Sequence, residues 1–170
     1  IFIVPGVACY IVFIFSGYAT KWSKELENPY TYLIPDTPLK KMWYATKIEH
    51  FRAAADGLLI TLPGAVVLGL SPALSVLTVL LYICLQANHL YYGMLADALI
   101  GNLLGNTGRT LIKTFLQGIA IGIAAGAAVI AGILVSVEAG FFAMIVMMSA
   151  LTFAGAAAAS VSFAKMEVLD

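Results

Sequence analysis

Charged side chains are scarce in this 170-residue chain. Lys, Arg, Asp and Glu together make up 11% of it, whereas hydrophobic residues make up 62%, and the mean hydropathy is +0.98. A soluble domain of this size needs far more charge to cover its surface. This composition therefore argues against a water-soluble globular protein and predicts an integral membrane protein.

The residues that most often carry catalytic or metal chemistry are also few. Cys9 and Cys84 are the two cysteines, and both lie inside apolar segments, which favours packed thiols over a disulfide or a metal pair. His50 and His89 are far apart in sequence, without the carboxylate or cysteine cluster that a metal site needs. No nucleophile elbow or catalytic carboxylate pair is present, and the net charge of zero gives no nucleic-acid footprint. We therefore expect a chain that is not an enzyme.

Long apolar segments alternate with short polar ones along the chain. A helix needs about 20 apolar residues to cross a hydrocarbon core of roughly 30 Å. We therefore predict an all-α, polytopic helical membrane protein, a single transmembrane domain over residues 1–170 with one short amphipathic helix. About five transmembrane helices are predicted, at residues 1–18, 48–70, 72–100, 114–135 and 141–164. Because the chain opens on Ile1 inside an apolar run with no basic region before it, we expect an N-terminal part to be missing.

The basic residues predict the orientation of these spans. With five spans, the polar segments 19–52, 101–113 and 165–170 share one side of the membrane and hold all nine Lys and Arg. The opposite side has two short turns with no basic residue. By the positive-inside rule, the charged loops are expected to face the cytoplasm.

The polar loop 19–47 contains the predicted short helix. Pro29 and Pro35 prevent a continuous helix through the residues between them. Thr37 is a favourable N-cap and Pro38 a favourable first helical residue, so the helix should start there and run to about residue 46. An apolar face and a basic face are predicted, made respectively by Leu39, Met42, Trp43 and Thr46, and by Lys40, Lys41, Tyr44 and Lys47. Such a helix belongs at an interface with lipid or with a partner protein.

Polar residues form one stripe along the third predicted span. The stripe consists of Tyr82, Gln86, His89, Gly93 and Asp97, with Asn88 and Tyr92 beside it. Polar groups are costly to expose to lipid, so the stripe should face other helices or a wet cavity. One interpretation is a translocation path lined by Tyr82, Gln86, Asn88, His89 and Tyr92. The other is interhelical hydrogen bonding that holds the bundle together.

Two ion pairs are also predicted. Arg52 and Asp56 are one helical turn apart near the start of the second span and can pair. Asp97 could pair with Arg109 or Lys113, which favours a structural role for this carboxylate.

Small residues recur along one face of each of the last two spans. The fourth has Gly118, Gly122 and Gly126, and the fifth has Ala143, Ala150, Ala154 and Ala158. Because small side chains let helix backbones approach closely, we predict that these faces pack against each other or against a second copy.

The segment YLIPDTPLKKMWYATKIEHF resembles the cytoplasmic loop of type 2 ABC exporter permeases, especially those of Gram-positive bacteria. The residues that carry the resemblance are Tyr32, Pro35, Asp36, Pro38, Lys40, Lys41 and Lys47. In that family the short helix is a coupling helix that sits in a groove of a separate ATPase subunit. The resemblance therefore implies an ATPase contact at Pro35, Asp36, Thr37, Pro38, Leu39, Lys40, Lys41 and Trp43.

The resemblance also implies a biological setting. It suggests the permease subunit of an exporter in the bacterial cell membrane, paired with a second permease subunit. ATP and Mg would bind to the partner ATPase, with no cofactor in this chain. Two other classes remain open from the sequence. One is a channel or ion-coupled secondary transporter in which Asp56, His89 or Asp97 titrates, and the other is a non-transporting scaffold or immunity protein.

Overall fold

The computed structural model describes residues 36–100 and 105–167, and all secondary structure in them is helical. The elements are α1 (Pro38–Asp56), a π-helical segment (Gly57–Thr61), α2 (Leu62–Val67), α3 (Pro72–Ile100), α4 (Gly105–Leu134) and α5 (Val137–Glu167). This confirms the all-α prediction for the described part of the chain.

Three of the described helices are long and apolar enough to cross a membrane. They are Pro72–Leu99, Thr110–Leu134 and Val137–Val161, which correspond to the third, fourth and fifth predicted spans. The first predicted span, 1–18, lies outside the described residues. The second, 48–70, is divided among α1, the π-helical segment and α2, and it is not one of these three helices. The structure therefore supports three of the five predicted spans.

Helix α1 starts where the sequence predicts but is longer than expected. Its first backbone bond runs from the Lys41 N–H to the Thr37 carbonyl, 3.1 Å, with Pro38 in the first position. The helix was predicted to end near residue 46, and that is wrong, since it continues to Asp56. No Gly or Pro interrupts residues 39–56, so nothing in this segment breaks the helix.

The π-helical segment lies between two features that account for it. Pro63 has no N–H to donate to the carbonyl one turn earlier, which loosens the helix just before it. Gly57 opens the segment beneath the ring of Tyr82, and a Cβ added there would lie 3.1 Å from Tyr82 Cδ1. The widened turn therefore forms where the chain passes close to the aromatic ring of Tyr82 on α3.

Gly69 ends the α2 region in a tight turn. Its φ is +64°, a left-handed conformation that suits glycine. The Leu70 N–H donates to the Ala65 carbonyl, 3.0 Å, and the Gly69 N–H to the Val66 carbonyl, 3.0 Å, which is a typical glycine-terminated helix end. The turn reverses the chain directly into α3.

The core has one main cluster and one smaller cluster. The main cluster joins α3, α4 and α5 through Leu74, Leu81, Tyr82, Leu85, Ala124, Phe141, Met144 and Met148. The smaller cluster joins α1 to the far ends of α3 and α5 through Met42, Leu90, Met94 and Ala159. Helix α1 therefore lies at the end of the bundle opposite the short turn between α4 and α5.

Among the described residues, the predicted small-residue faces of α4 and α5 do not pack against each other. A Cβ added at Gly118, Gly122 or Gly126 would meet no atom within 4 Å, and Ala150, Ala154 and Ala158 are exposed. The buried face of α4 instead contains Ala120 and Ala124. Since two residues turn a helix by roughly 200°, Gly122 points away from that face. Contact of these faces with a second copy stays a prediction.

The close approach of α4 and α5 occurs at Gly132 and Gly140 instead. A Cβ at Gly140 would lie 2.7 Å from the Ala128 carbonyl oxygen and 3.1 Å from Gly132 Cα. These glycines flank the connection between the two helices, where the short link forces the backbones together. Glycine is required at 140 because the obstacle is backbone, which has little freedom to move aside.

Candidate functional site

The exposed face of α1 is basic and aromatic. The Lys40 side chain is 65% exposed, and Trp43 and Tyr44 are each 52% exposed. The Lys47 ammonium lies 5.7 Å from the centre of the Tyr44 ring, within the range of a cation–π contact. Exposed aromatic residues such as Trp43 and Tyr44 are of the type enriched at surfaces that bind partners.

Most of the predicted ATPase-contact residues are accessible, with one correction. Thr37, Leu39, Lys40 and Trp43 are exposed, and Asp36 and Pro38 are half-buried; Pro35 lies outside the described residues. Lys41 was predicted on the outward basic face, but it is buried, with 5% exposed. Helix α1 contacts both α3 and α5. Two neighbouring helices cover more of its surface than one would, and Lys41 lies on the covered part.

The start of α1 is fixed by Asp36. The Thr37 backbone N–H donates to Asp36 Oδ1, 3.0 Å, and Lys40 Nζ lies 3.2 Å from the same oxygen. The Thr37 N–H and then the Lys40 ammonium lower the pKa of Asp36 below its ordinary value. The sequence predicted Thr37 as the N-cap, but its side chain makes no capping hydrogen bond.

The inward face of α1 is anchored by Met42, Thr46 and His50. Met42 is 2% exposed and Thr46 is fully buried, with the Thr46 hydroxyl donating to the Met42 carbonyl at 2.8 Å. His50 Nε2 lies 3.0 Å from the Tyr91 hydroxyl on α3. The His50 ring stacks on Trp43 with centroids 5.1 Å apart. We call Trp43, His50 and Tyr91 the aromatic joint. It connects the exposed face of α1 to α3.

Sequence reasoning missed this aromatic joint. It treated His50 only as a possible metal ligand and did not single out Tyr91. A signal was present, because Met42, Thr46 and His50 are spaced by four residues and so share one helix face. Among the described residues, no group of three or more His, Cys, Asp or Glu could hold a metal ion.

The polar stripe on α3 is engaged in contacts with its neighbours. Gln86 Nε2 donates to the Tyr82 hydroxyl at 3.1 Å, along the same helix. Nδ1 of His89 is hydrogen-bonded to Oε1 of Gln117 on α4, 2.8 Å. His89 is 7% exposed and Gln117 2%, so this bond joins two helices in a buried setting.

Two further residues of the stripe region bind α5. Asn88 is fully buried and its Nδ2 donates to Thr152 Oγ1 at 3.2 Å. The Tyr92 hydroxyl donates to the Leu151 carbonyl at 3.4 Å, and its ring fills the space beside Gly155. These contacts are hydrogen bonds between helices, of the kind that the second interpretation expects.

The two predicted ion pairs have partial support. Arg52 Nε lies 3.8 Å from Asp56 Oδ2, as expected. The Lys113 side chain lies across Gly93, one helical turn before Asp97 on α3, with Nζ 3.4 Å from the position of an added Cβ. Among the described residues, Lys113 is therefore the cation that lies near Asp97.

A family model described as "Putative ABC exporter" matches residues 1–167. The chain belongs to this family. Membership confirms the resemblance to ABC exporters, supports a role in transport and agrees with the three apolar helices of a membrane protein. No curated protein and no solved structure matches the chain. In this exporter-family chain, α1 occupies the segment that carries the resemblance.

Proposed function

We propose that the chain is the permease subunit of a type 2 ABC exporter in the cell membrane of a Gram-positive bacterium. It would couple ATP hydrolysis in a separate ATPase subunit to export of a substrate. Two observations support this: the family match over residues 1–167, and a helix, α1, with an exposed basic and aromatic face on an anchored base. The second observation carries the proposal, because a coupling element must be both accessible and firmly held.

Helix α1 transmits motion as a rigid lever in this proposal. Its exposed residues Thr37, Leu39, Lys40 and Trp43 contact the ATPase, together with Pro35, Asp36 and Pro38. Its buried residues hold it against α3 and α5 through Met42 and the aromatic joint. Since α1 runs without a break into the π-helical segment, a push at its first turn moves the whole helix as a body.

The remaining components lie outside this chain. ATP and Mg bind to the ATPase subunit, and a second permease subunit, identical or homologous, completes the transporter. Asn88, His89 and Tyr92 each make a hydrogen bond within the described bundle, so we place the substrate path between subunits. The charged loops face the cytoplasm, in line with the positive-inside rule.

Co-purification tests the ATPase contact. The full-length protein is extracted from its native host in a mild detergent, and bound proteins are identified by mass spectrometry. We expect an ATPase subunit with the wild type and at least a tenfold lower yield with Lys40→Glu combined with Trp43→Ala. The matched control is Glu138→Lys, a charge change at the opposite end of the bundle, which should leave the yield unchanged.

Transport energetics test the same proposal by another route. Export in inverted vesicles should require ATP and stop with an ATPase inhibitor. If no ATPase is recovered, and transport instead follows a proton or sodium gradient, the channel or secondary transporter interpretation replaces this one.

A further inference from the structure

An open groove of about 480 Å³ lies between α1, α3 and α5. Its volume is within the range of about 300–1,000 Å³ that is usual for sites of small ligands. Its lining residues are Leu39, Lys40, Trp43, Cys84, Ala87, Tyr91, Ser149, Thr152, Phe153 and Ala156. The walls are almost entirely apolar, so the ligand that fits them is apolar along most of its length.

The polar atoms in the wall have partners inside the bundle. The Thr152 hydroxyl donates to the Met148 carbonyl at 2.7 Å, and the Tyr91 hydroxyl contacts His50 at 3.0 Å. At the inner end, Cys84 Sγ and Ser149 Oγ lie 3.4 Å apart. These groups are therefore already engaged, and the walls favour a hydrocarbon chain over a polar solute.

Lys40 supplies the charge of the lining, and it lies at the end of the groove formed by α1. Its ammonium has three N–H donors, and Asp36 at 3.2 Å occupies one side of it. The side chain is 65% exposed, so an anion can approach the remaining donors. Trp43 stands beside it at the same end, the position that tryptophan prefers near lipid headgroups.

The length of the groove matches the upper part of a lipid chain. Along α3 it extends from Tyr91 to Cys84, seven residues, or roughly 10 Å at the helical rise. This is about a third of a hydrocarbon core of roughly 30 Å. An apolar slot of this depth, with an exposed ammonium on a residue of its wall, suits an amphiphile with an anionic head.

We propose that this groove binds an anionic phospholipid of the surrounding bilayer. The phosphate lies on the Lys40 ammonium, and one acyl chain runs past Trp43 between α3 and α5 towards Cys84. The lipid fills the gap beside α1 and holds its first turns against α5. Lys40 and Trp43 also belong to the proposed ATPase contact, so lipid binding is measured on the permease without the ATPase, where the lipid proposal can fail on its own.

The fluorescence of Trp43 provides a measurement of lipid binding in the groove. The chain has two tryptophans, so Trp22→Phe leaves Trp43 as the single tryptophan, whose emission is excited selectively at the red edge of the absorption band. The permease without ATPase is reconstituted in phosphatidylcholine vesicles that contain a minor fraction of brominated lipid, either phosphatidylglycerol or phosphatidylcholine with the same chains. We expect the anionic lipid to quench Trp43 at least threefold more than the neutral one.

Charge variants test the headgroup contact. Lys40→Glu should abolish the difference between the two brominated lipids. Lys47→Glu is the matched control, since Lys47 is an exposed cation of the same helix outside the groove lining, and it should keep the difference. Equal quenching by both lipids in the wild type, or a preference that survives Lys40→Glu, would overturn the proposal.

Filling variants test the apolar slot. Ala156→Leu or Ala87→Leu should reduce quenching by the anionic lipid, whereas Ala154→Leu, an exposed position on α5 outside the lining, should not. If segment 1–18 occupies the groove instead, a short bismaleimide will join Cys9 to Cys84, and no lipid preference will be seen. That result also overturns the proposal.

Discussion

The hydroxyl of Tyr91 on α3 lies 3.0 Å from Nε2 of His50 on α1. The two rings are tilted by 36° with centroids 5.6 Å apart. The contact joins two helices through side chains 41 positions apart in sequence. Because it lies directly beneath the exposed face of α1, it makes α1 part of the bundle rather than a helix lying loosely on its surface.

Removal of the Tyr91 hydroxyl should loosen α1. We expect Tyr91→Phe to lower the free energy of unfolding by about 0.6–1.7 kcal/mol, the range for interhelical hydrogen bonds in membranes. Hydrogen exchange of the α1 amides, measured by mass spectrometry, should become faster. Tyr92→Phe is the control, because its hydroxyl makes a longer bond of 3.4 Å to the Leu151 carbonyl. Equal effects on α1 exchange would contradict a specific role for Tyr91.

Gly140 should tolerate no side chain. Gly140→Ala places a Cβ 2.7 Å from the Ala128 carbonyl oxygen, so α4 and α5 must separate, at a cost of about 1–3 kcal/mol. The control is Gly122→Ala, where an added Cβ meets no atom within 4 Å. Thermal unfolding in detergent should show a clear loss for the first variant and none for the second. A loss of thermal stability confined to Gly122→Ala would contradict this prediction and show that the exposed glycine face of α4 stabilises the protein.

Gln117 should be required for stability through His89. Gln117→Leu removes the buried partner of His89 Nδ1, and loss of a buried polar partner costs about 1–3 kcal/mol. The double variant with His89→Leu should recover part of this loss, because both polar groups are then gone. Denaturant unfolding measures the effect, with Gln86→Leu, at a half-buried position, as the control. A variant that keeps its stability but loses transport would instead support a path lined by His89.

Asp36 should titrate below its ordinary pKa of 3.8. A carboxyl with a pKa lower in the folded state than in the unfolded state stabilises the fold above the unfolded pKa. That contribution is lost as the pH falls through the lowered value. Carbon-13 NMR of the Asp36 carboxyl measures the pKa directly. Lys40→Gln should move it back towards 3.8, whereas Lys47→Gln should leave it unchanged, and equal shifts would contradict the Lys40 contact.

The sequence predicts some features of α1 well because they are local. Pro38 at the first helical position and the Arg52–Asp56 pair depend on residues within one turn, and the structure confirms both. The end of α1 was predicted wrongly, because the second span was expected to begin at residue 48 as a separate helix. A helix without Gly or Pro does not break where its surroundings change.

Burial around α1 and α4 depends on neighbours that composition does not reveal. Lys41 was predicted outward from its charge, yet α1 lies against two helices, which bury it. Gly118, Gly122 and Gly126 suit close packing, yet their face of α4 meets no helix among the described residues. Periodicity identifies the faces of a helix, but which face is buried depends on the direction in which the next helix packs.

The sequence by itself determined that this is an apolar, helical membrane protein with a polar segment that resembles an exporter coupling loop. Those properties follow from hydropathy, proline positions and spacing, which are local along the chain. Only the tertiary structure decided that the α3 stripe bonds to α4 and α5, that Tyr91 holds His50, and that Lys40 lies at the end of an apolar groove. Each of these is a contact between distant segments, and such contacts exist only once the helices have packed.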